Sequence, residues 1–241
     1  MKLALIGYGK MGKTIEALAG KLNHEIIMTI DRDNLSVLTS ELFKCADVAI
    51  EFTMPNQAFS NIIACFDAGV PVVCGTTGWY DRLEELTEIC EIKKGALLYA
   101  SNFSIGVNLF FALNKYLANQ MSHYPDYDVS MIETHHTAKL DAPSGTAITL
   151  AEDLIKYHKS YDRWTRDKKE GAHSFPIRSI RENPAPGKHE IRYISEVDEI
   201  NISHEAYNRN GFASGALHAA NWLRDKQGVF HFSEALSLPF S

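Results

Sequence analysis

The sequence is poor in the features that would place it in several classes of protein. No apolar run approaches the ~20 residues that a membrane-crossing helix needs. The opening MKLALIGYGKMG has an apolar stretch of only about five residues before glycines and lysines follow, so no secretory leader is expected. Cysteine is scarce: Cys45, Cys65, Cys74 and Cys90, with no C-x-x-C pair. A chain this long needs no disulfide staples, and the four read as reduced, mostly buried thiols in a cytoplasmic protein. Basic charge is also short, 24 Lys and Arg against 30 Asp and Glu, a formal net charge of −6. That argues against a nucleic-acid-binding surface, and an anionic ligand would need a locally positive pocket. Internal repeats and low-complexity stretches are absent.

The 241 residues are enough for one large domain or two smaller ones with a real core, and the 45% hydrophobic and 22% charged fractions are ordinary for a globular chain. Lys2–Ile6 is a short apolar strand leading into Gly7-Tyr8-Gly9-Lys10-Met11-Gly12, a complete G-x-G-x-x-G. A helical pattern follows over Thr14–Leu22, then a second strand, Glu25–Ile30, closed by Asp31. Gly12 to Asp31 is 31 − 12 = 19 residues, close to the spacing of a dinucleotide fingerprint. The glycines let the backbone approach a pyrophosphate, and the helix start offers free N–H groups and a partial positive charge. Asp31 suits the adenosine ribose and Arg32 suits a 2′-phosphate, so NADH and NADPH both stay open.

The alternation continues: strands at Asp47–Phe52, Val70–Cys74 and Ala96–Tyr99, helices at Asn56–Ala68 and Tyr80–Lys93. Such repetition implies a parallel sheet with helices on both faces, and ligands of such sheets bind past the carboxyl ends of the strands. Three strand ends rich in small and hydroxyl residues gather there: Glu51-Phe52-Thr53, Gly75-Thr76-Thr77 and Ala100-Ser101-Asn102-Phe103. A cofactor rim is the expectation.

After a long apolar helix at Ile105–Met121 the pattern changes. A strand begins at Asp128, a helix follows at Thr146–Tyr157, His158–Ala172 reads as an exposed polar loop, and strands then run in succession at Ser174–Arg181, His189–Glu196 and Glu199–His204. Successive strands suggest a second domain with a mixed sheet. Apolar residues on its faces suggest burial of one face against another subunit. A closing helix, Phe212–Gln227, is rich in small residues and suits close packing back on the first domain. The expected fold is thus α/β, a Rossmann-type parallel sheet domain (1–104 with 212–241) plus a smaller α+β substrate-binding and oligomerisation domain (105–211).

Residues 133–147, ETHHTAKLDAPSGTA, hold the densest chemistry. A strand ending at the histidines puts Glu133 and His135 on one face and His136 on the other, so strict alternation predicts one functional histidine. Histidine suits proton donation near neutral pH, and Lys139 suits neutralising a carboxylate. Ser144, Gly145 and Thr146 open a helix whose first N–H groups make an anion site. Together these fit an acidic small molecule that is protonated during reaction. A zinc site of His135, His136 and Asp141 matches no usual ligand spacing, and no metal is expected.

At this point the chain resembles a known family. The segment is similar to the E-x-HH-x-x-K-x-DAPSGTA signature of the 4-hydroxy-tetrahydrodipicolinate reductases (dihydrodipicolinate reductases). The likeness extends through GYGKMG at the start, EFT at 51, GTTG at 75, SNFSIGVN at 101, SIRENPAPGKHE at 179 and FASGALHAANWL at 212. It implies NADH- or NADPH-dependent reduction of the cyclic product of pyruvate and aspartate semialdehyde, in lysine and diaminopimelate synthesis, by a homotetramer. His135 and Lys139 would act as acid-base residues, and His136, Gly145 and Thr146 would contact the substrate carboxylates. Cofactor contacts would fall on Gly7–Gly12, Gly75, Thr76, Thr77, Ala100, Ser101, Asn102 and Phe103. A dehydrogenase of another amino-dicarboxylate shares the same half-sites, and a nicotinamide-sensing protein without turnover would keep the fold alone.

Overall fold

The computed structural model describes residues 1–238. In chain order the elements are β1 (Lys2–Ile6), α1 (Lys10–Lys21), β2 (Glu25–Ile30), β3 (Val48–Glu51), α2 (Pro55–Ala68), β4 (Val72–Cys74), α3 (Leu83–Lys93) and β5 (Ala96–Tyr99). Then come α4 (Ile105–Met121), β6 (Asp128–His135), α5 (Gly145–Tyr157), β7 (Arg163–Arg166), β8 (Ser174–Arg181), β9 (Gly187–Ile194), β10 (Glu199–Ala206), α6 (Asn210–Leu223), β11 (Gly228–His231) and α7 (Phe232–Ala235). The chain divides into two compact units, Met1–Ile105 with Arg209–Leu238, and Gly106–Asn208.

The first unit is a six-stranded parallel sheet in the order β11-β5-β4-β3-β1-β2. Its central strands are short and almost wholly apolar because both faces are covered. Alternation along β1 divides the core: Leu3 and Leu5 pack with Ile15 and Ala19 of α1 and Ala216 and Ala220 of α6. Ala4 and Ile6 turn the other way, toward Ala58, Ile62 and Phe66 of α2 and Leu86 of α3. The small residues of α6 let it lie close: a methyl group on Gly215 would stand 1.6 Å from the Phe103 carbonyl oxygen. The chain runs from β1 to β2 on one side and then to β3 on the other. This reversal makes the carboxyl ends of β1 and β3 the place where such sheets open a crevice.

The sixth strand is a departure from the sequence reading, which has α6 running to Gln227 and nothing after it. The helix ends at Leu223, and Gly228-Val229-Phe230-His231 pairs in parallel with β5. Four residues give too short a pattern to be seen without the partner strand.

The second unit is a mixed five-stranded sheet in the order β10-β9-β6-β8-β7. Val129, Met131, Phe175, Ile177, Ile191 and Tyr193 face α4 and α5, which supply Phe110, Met121, Leu150 and Leu154. The opposite face is more polar than the sequence suggests. By alternation it carries Arg178, Glu190 and Arg192, with Ile132, Ile180 and Ile194 among them. His158–Ala172 is also not the exposed loop expected. His158 and Tyr161 are buried, Val129 N–H donates to the Tyr161 hydroxyl at 3.2 Å, and β7 pairs in parallel with β8. The fold class is therefore α/β, a Rossmann-like sheet with a second, mixed-sheet unit.

Candidate active site

In the first unit, the ends of β1, β2 and β3 enclose a cleft of about 440 Å³ lined by Gly7, Tyr8, Gly9, Asp31, Arg32, Asp33, Thr53 and Met54, among others. A neighbouring hollow of about 330 Å³ is lined by Gly9, Lys10, Met11, Gly75, Thr76 and Thr77 with Phe52, Thr53 and Pro55. The fingerprint glycines have distinct reasons. Gly7 has φ +93, and a Cβ there would lie 2.1 Å from the Phe52 carbonyl oxygen. A Cβ on Gly12 would stand 2.4 Å from the Gly7 oxygen, so α1 starts tight against the turn. At Gly9 a Cβ meets nothing within 4 Å and would project into open space.

These residues fit a dinucleotide. No side chain caps the start of α1, and its first turn holds no acid, so its first N–H groups stay available to a pyrophosphate. Asp31 accepts the Arg32 N–H at 2.9 Å and caps the short 3₁₀ turn Arg32–Thr39, with carboxylate lone pairs left over for ribose hydroxyls. The Arg32 guanidinium reaches Met54 Sδ at 2.8 Å on the lip at the end of β3. The lip itself is pinned from below. Glu51, fully buried, accepts the Thr53 N–H at 3.1 Å and the Cys74 thiol at 3.0 Å, and Thr53 N–H also donates to Thr76 Oγ1 at 2.8 Å. Burial and the Glu51 charge push the Cys74 thiol far up, so it stays a neutral donor.

The end of β5 does not join these hollows. Ala100 and Phe103 are buried in the core, with the Phe103 ring against Phe52 and Phe232. Asn102 Oδ1 accepts the Ser104 N–H at 2.8 Å, and Ser101 is exposed.

In the second unit, β6 ends at His135, so Glu133 and His135 share the core-facing side. Glu133 is 1% exposed and pairs with His135 Nδ1 through Oε2 and with Arg181 through Oε1 at 2.8 Å. Burial alone would push this carboxyl up. Hydrogen bonds from His135, Arg181 and Ser179 overrule that and hold it at about 2. Sheet register brings these partners together: His135 stands opposite Arg181 on β8, and Glu133 opposite His189 on β9. The His189 ring meets the His135 ring edge-on at 5.1 Å, and its Nε2 lies 3.1 Å from Ser144 Oγ. Burial, then the nearby His135, bring His189 down to about 4, so it stays neutral at physiological pH.

Ser144 caps α5, its hydroxyl accepting the Ala147 N–H at 3.2 Å. That uses the third N–H of the helix and leaves those of Gly145 and Thr146 to face an anion. A Cβ on Gly145 would meet nothing within 4 Å. His136, beyond the strand end, is half-buried, and Lys139 Nζ pairs with the exposed Asp141 at 2.8 Å. Nitrogen and oxygen atoms of Glu133, His135 and His189 lie within 4.8 Å of one another. A metal ion there would have to break the pairing of Glu133 Oε2 with His135 Nδ1.

Sequence reasoning puts Glu133 on the face of His135 but passes over Arg181 and His189. Both lie in SIRENPAPGKHE, more than forty residues downstream, and only strand pairing carries them to β6.

Comparison with known proteins gives the family. Residues 1–103 match the dihydrodipicolinate reductase N-terminus family, and residues 106–236 match the corresponding C-terminus family. The chain belongs to the dihydrodipicolinate reductase family. Within it, the 4-hydroxy-tetrahydrodipicolinate reductase of Christiangramia forsetii is 45% identical over 239 residues, 98% of each chain. The enzyme of that name from Staphylococcus aureus is 33% identical over 242 residues, 96% of this chain and 98% of its own. Among solved structures, the dipicolinate-bound dihydrodipicolinate reductase from Paenisporosarcina sp. TG-14 has a TM-score of 0.80 at 26% identity, over 97% of this chain and 98% of that one.

Proposed function

We propose that the chain is a 4-hydroxy-tetrahydrodipicolinate reductase, an NAD(P)H-dependent oxidoreductase that acts on a cyclic dicarboxylate. The observation that carries this reading is the second unit's cluster: a histidine ring oriented by a buried carboxylate, a lysine on the next loop and an open helix start, all within one family signature. Family membership and the dinucleotide cleft support it.

Gly7–Gly12, Asp31, Arg32 and the Gly75-Thr76-Thr77 turn would hold the dinucleotide, whose nicotinamide would supply the hydride when bound. The chain's own residues do the rest. The N–H groups of Gly145 and Thr146, with His136 and Lys139, take the substrate carboxylates, where the partial charge of the helix start and the ammonium offset the substrate's charge. Glu133 keeps one proton of His135 on Nδ1 and stabilises the imidazolium, whose second proton passes from Nε2 to the ring carbon next to the one reduced and leaves the ring neutral. Lys139 leaves Asp141 for the substrate, the exposed carboxylate being the weaker partner in water.

The test is oxidation of NADH and of NADPH by the purified protein, with substrate generated in place from pyruvate and aspartate semialdehyde by the preceding synthase. Consumption that depends on both proteins is expected. Cofactor binding without such consumption would discard the reaction and favour a dehydrogenase of another amino-dicarboxylate. We further propose a cytoplasmic homotetramer. The free cysteines support the compartment, and the face of the second sheet turned away from α4 and α5 supports the assembly. Sedimentation of the purified protein at four times the 27.0 kDa chain mass is the expected result.

A further inference from the structure

His135 and Lys139 sit on different pieces of backbone, one at the end of a strand and one on an irregular loop. Around Lys139 the loop is held by no apolar contact of Leu140, which is 96% exposed, and burial resumes only at Pro143. A single side chain ties both pieces together. Arg181, the last residue of β8, donates from one terminal nitrogen to Glu133 Oε1 at 2.8 Å and to the Asp141 carbonyl at 2.6 Å. Its Nε donates to the Lys139 carbonyl at 3.3 Å and its other terminal nitrogen to the Ile180 carbonyl at 2.8 Å. Four of the five guanidinium N–H groups are thus engaged within the protein. Too little of the fork is left to grip a substrate carboxylate in the two-pronged way arginine uses for that purpose.

We propose that Arg181 is a positioning residue that sets His135 against Lys139, fixing the first through Glu133 and the second through the carbonyls on either side of Leu140. The inference rests on the acid-base reading of His135 and Lys139 given above. Its physical basis is the planar fork. A rigid guanidinium presents N–H groups in fixed directions, and the carboxylate and the two loop carbonyls lie in those directions. A displacement of about 1 Å between reacting groups can cost on the order of 10²-fold in rate. The charged and titratable groups around the His135 ring are Glu133 on its own strand, the neutral His189 on β9 and the Arg181 guanidinium, with Lys139 and Asp141 on the loop.

The experiment compares Arg181→Lys and Arg181→Gln in the full-length protein by two readouts. The first is steady-state kinetics over pH with the coupled synthase. Arg181→Gln should lower kcat by ~10²-fold and move the pH profile of kcat, with the KM for NADH changed by less than about twofold. Arg181→Lys keeps the charge beside Glu133 but loses the fork, so it should lower kcat by ~10-fold and leave the pH profile in place. The second readout needs no turnover: the Nδ1–H signal of His135 in ¹H–¹⁵N spectra, assigned by its loss in His135→Gln. That signal should persist in Arg181→Lys and be lost or broadened in Arg181→Gln. Should Arg181→Gln fail to fold, the Arg181→Lys result stands by itself. Wild-type kcat in Arg181→Lys, or an unmoved pH profile and Nδ1–H signal in a folded Arg181→Gln, would overturn the proposal. A wild-type protein without turnover whose Nδ1–H signal still responds to Arg181 would overturn the reductase reading and leave the positioning role standing.

Discussion

Replacing Glu133 with glutamine tests the centre of the second unit most directly. The substitution keeps the shape and removes the charge. As a carboxylate, Glu133 offers both oxygens, Oε2 to His135 Nδ1 and Oε1 to Arg181. An amide offers one acceptor, so with its oxygen on Arg181 it turns an N–H₂ group toward His135 Nδ1, which can then answer only as an acceptor without its proton. A carboxyl held at about 2 instead of 4.5 contributes on the order of 3 kcal/mol of stability at neutral pH. The sign follows from the depression. That contribution is complete above the unfolded value of 4.5 and is lost as pH falls from there through about 2. Urea denaturation of the two proteins should therefore differ by about 3 kcal/mol at pH 7, with the gap narrowing steadily from pH 4.5 downward. Turnover should fall ~10²-fold or more, within the range a placed proton donor supplies, because the His135 proton is no longer fixed on Nδ1. A stability gap that does not change with pH, or a variant with the wild-type pH profile and rate, would refute the account of Glu133 as an ionised orienting group.

Other substitutions separate fold from function. Gly9→Ala adds a methyl group that meets no protein atom, at a φ of −80, so the thermal midpoint should hold within a degree or two while the KM for NADH rises several-fold; an unchanged KM would remove Gly9 from the cofactor site. Ser144→Ala removes both the α5 cap and the hydroxyl partner of His189, and should cost about 1–2 kcal/mol with a raised KM for the dicarboxylate, measured by denaturation and by the coupled assay. Gly215→Ala drives a methyl group into the Phe103 carbonyl and should destabilise the first unit by about 1–3 kcal/mol or more in thermal melts, a loss that NADH partly restores.

The parallel sheet was legible because its signal is local. Each of the first five strands is an apolar run bounded by turn residues, and the glycine fingerprint sits between β1 and α1 at a spacing the cofactor's chemistry dictates. The chemistry around His135 was legible only in its contiguous part. Alternation along β6 puts Glu133 beside His135, and the histidine beyond the strand end is released from that alternation. Arg181 and His189 were invisible because their roles depend on which strands pair and in which register, and a one-residue slip would turn both away from the cluster. His158–Ala172 misled for the same reason. Its charged residues read as a loop until β8 provides β7 with a partner, and burial of Tyr161 under β6 then follows from the pairing.

The two neighbouring histidines of the second unit show how environment assigns roles to like groups. His189 and His135 are both buried and stand 5.1 Å apart. His189 has a serine hydroxyl for company and no carboxylate on its ring, so burial keeps it neutral, and it can hold the helix cap in place through Ser144 without taking up a proton. His135 has Glu133 on one ring nitrogen, a charge fixed from behind by Arg181, and it is the ring we propose as the proton donor. Exchanging those environments would exchange the roles. A variant that gives His189 a carboxylate neighbour would place a second proton against His135, and the electrostatic cost of two adjacent cations would fall on the proposed donor. The polar cluster that Glu133, Arg181 and His189 build around His135 is therefore asymmetric by necessity, with one ionised acid serving one histidine.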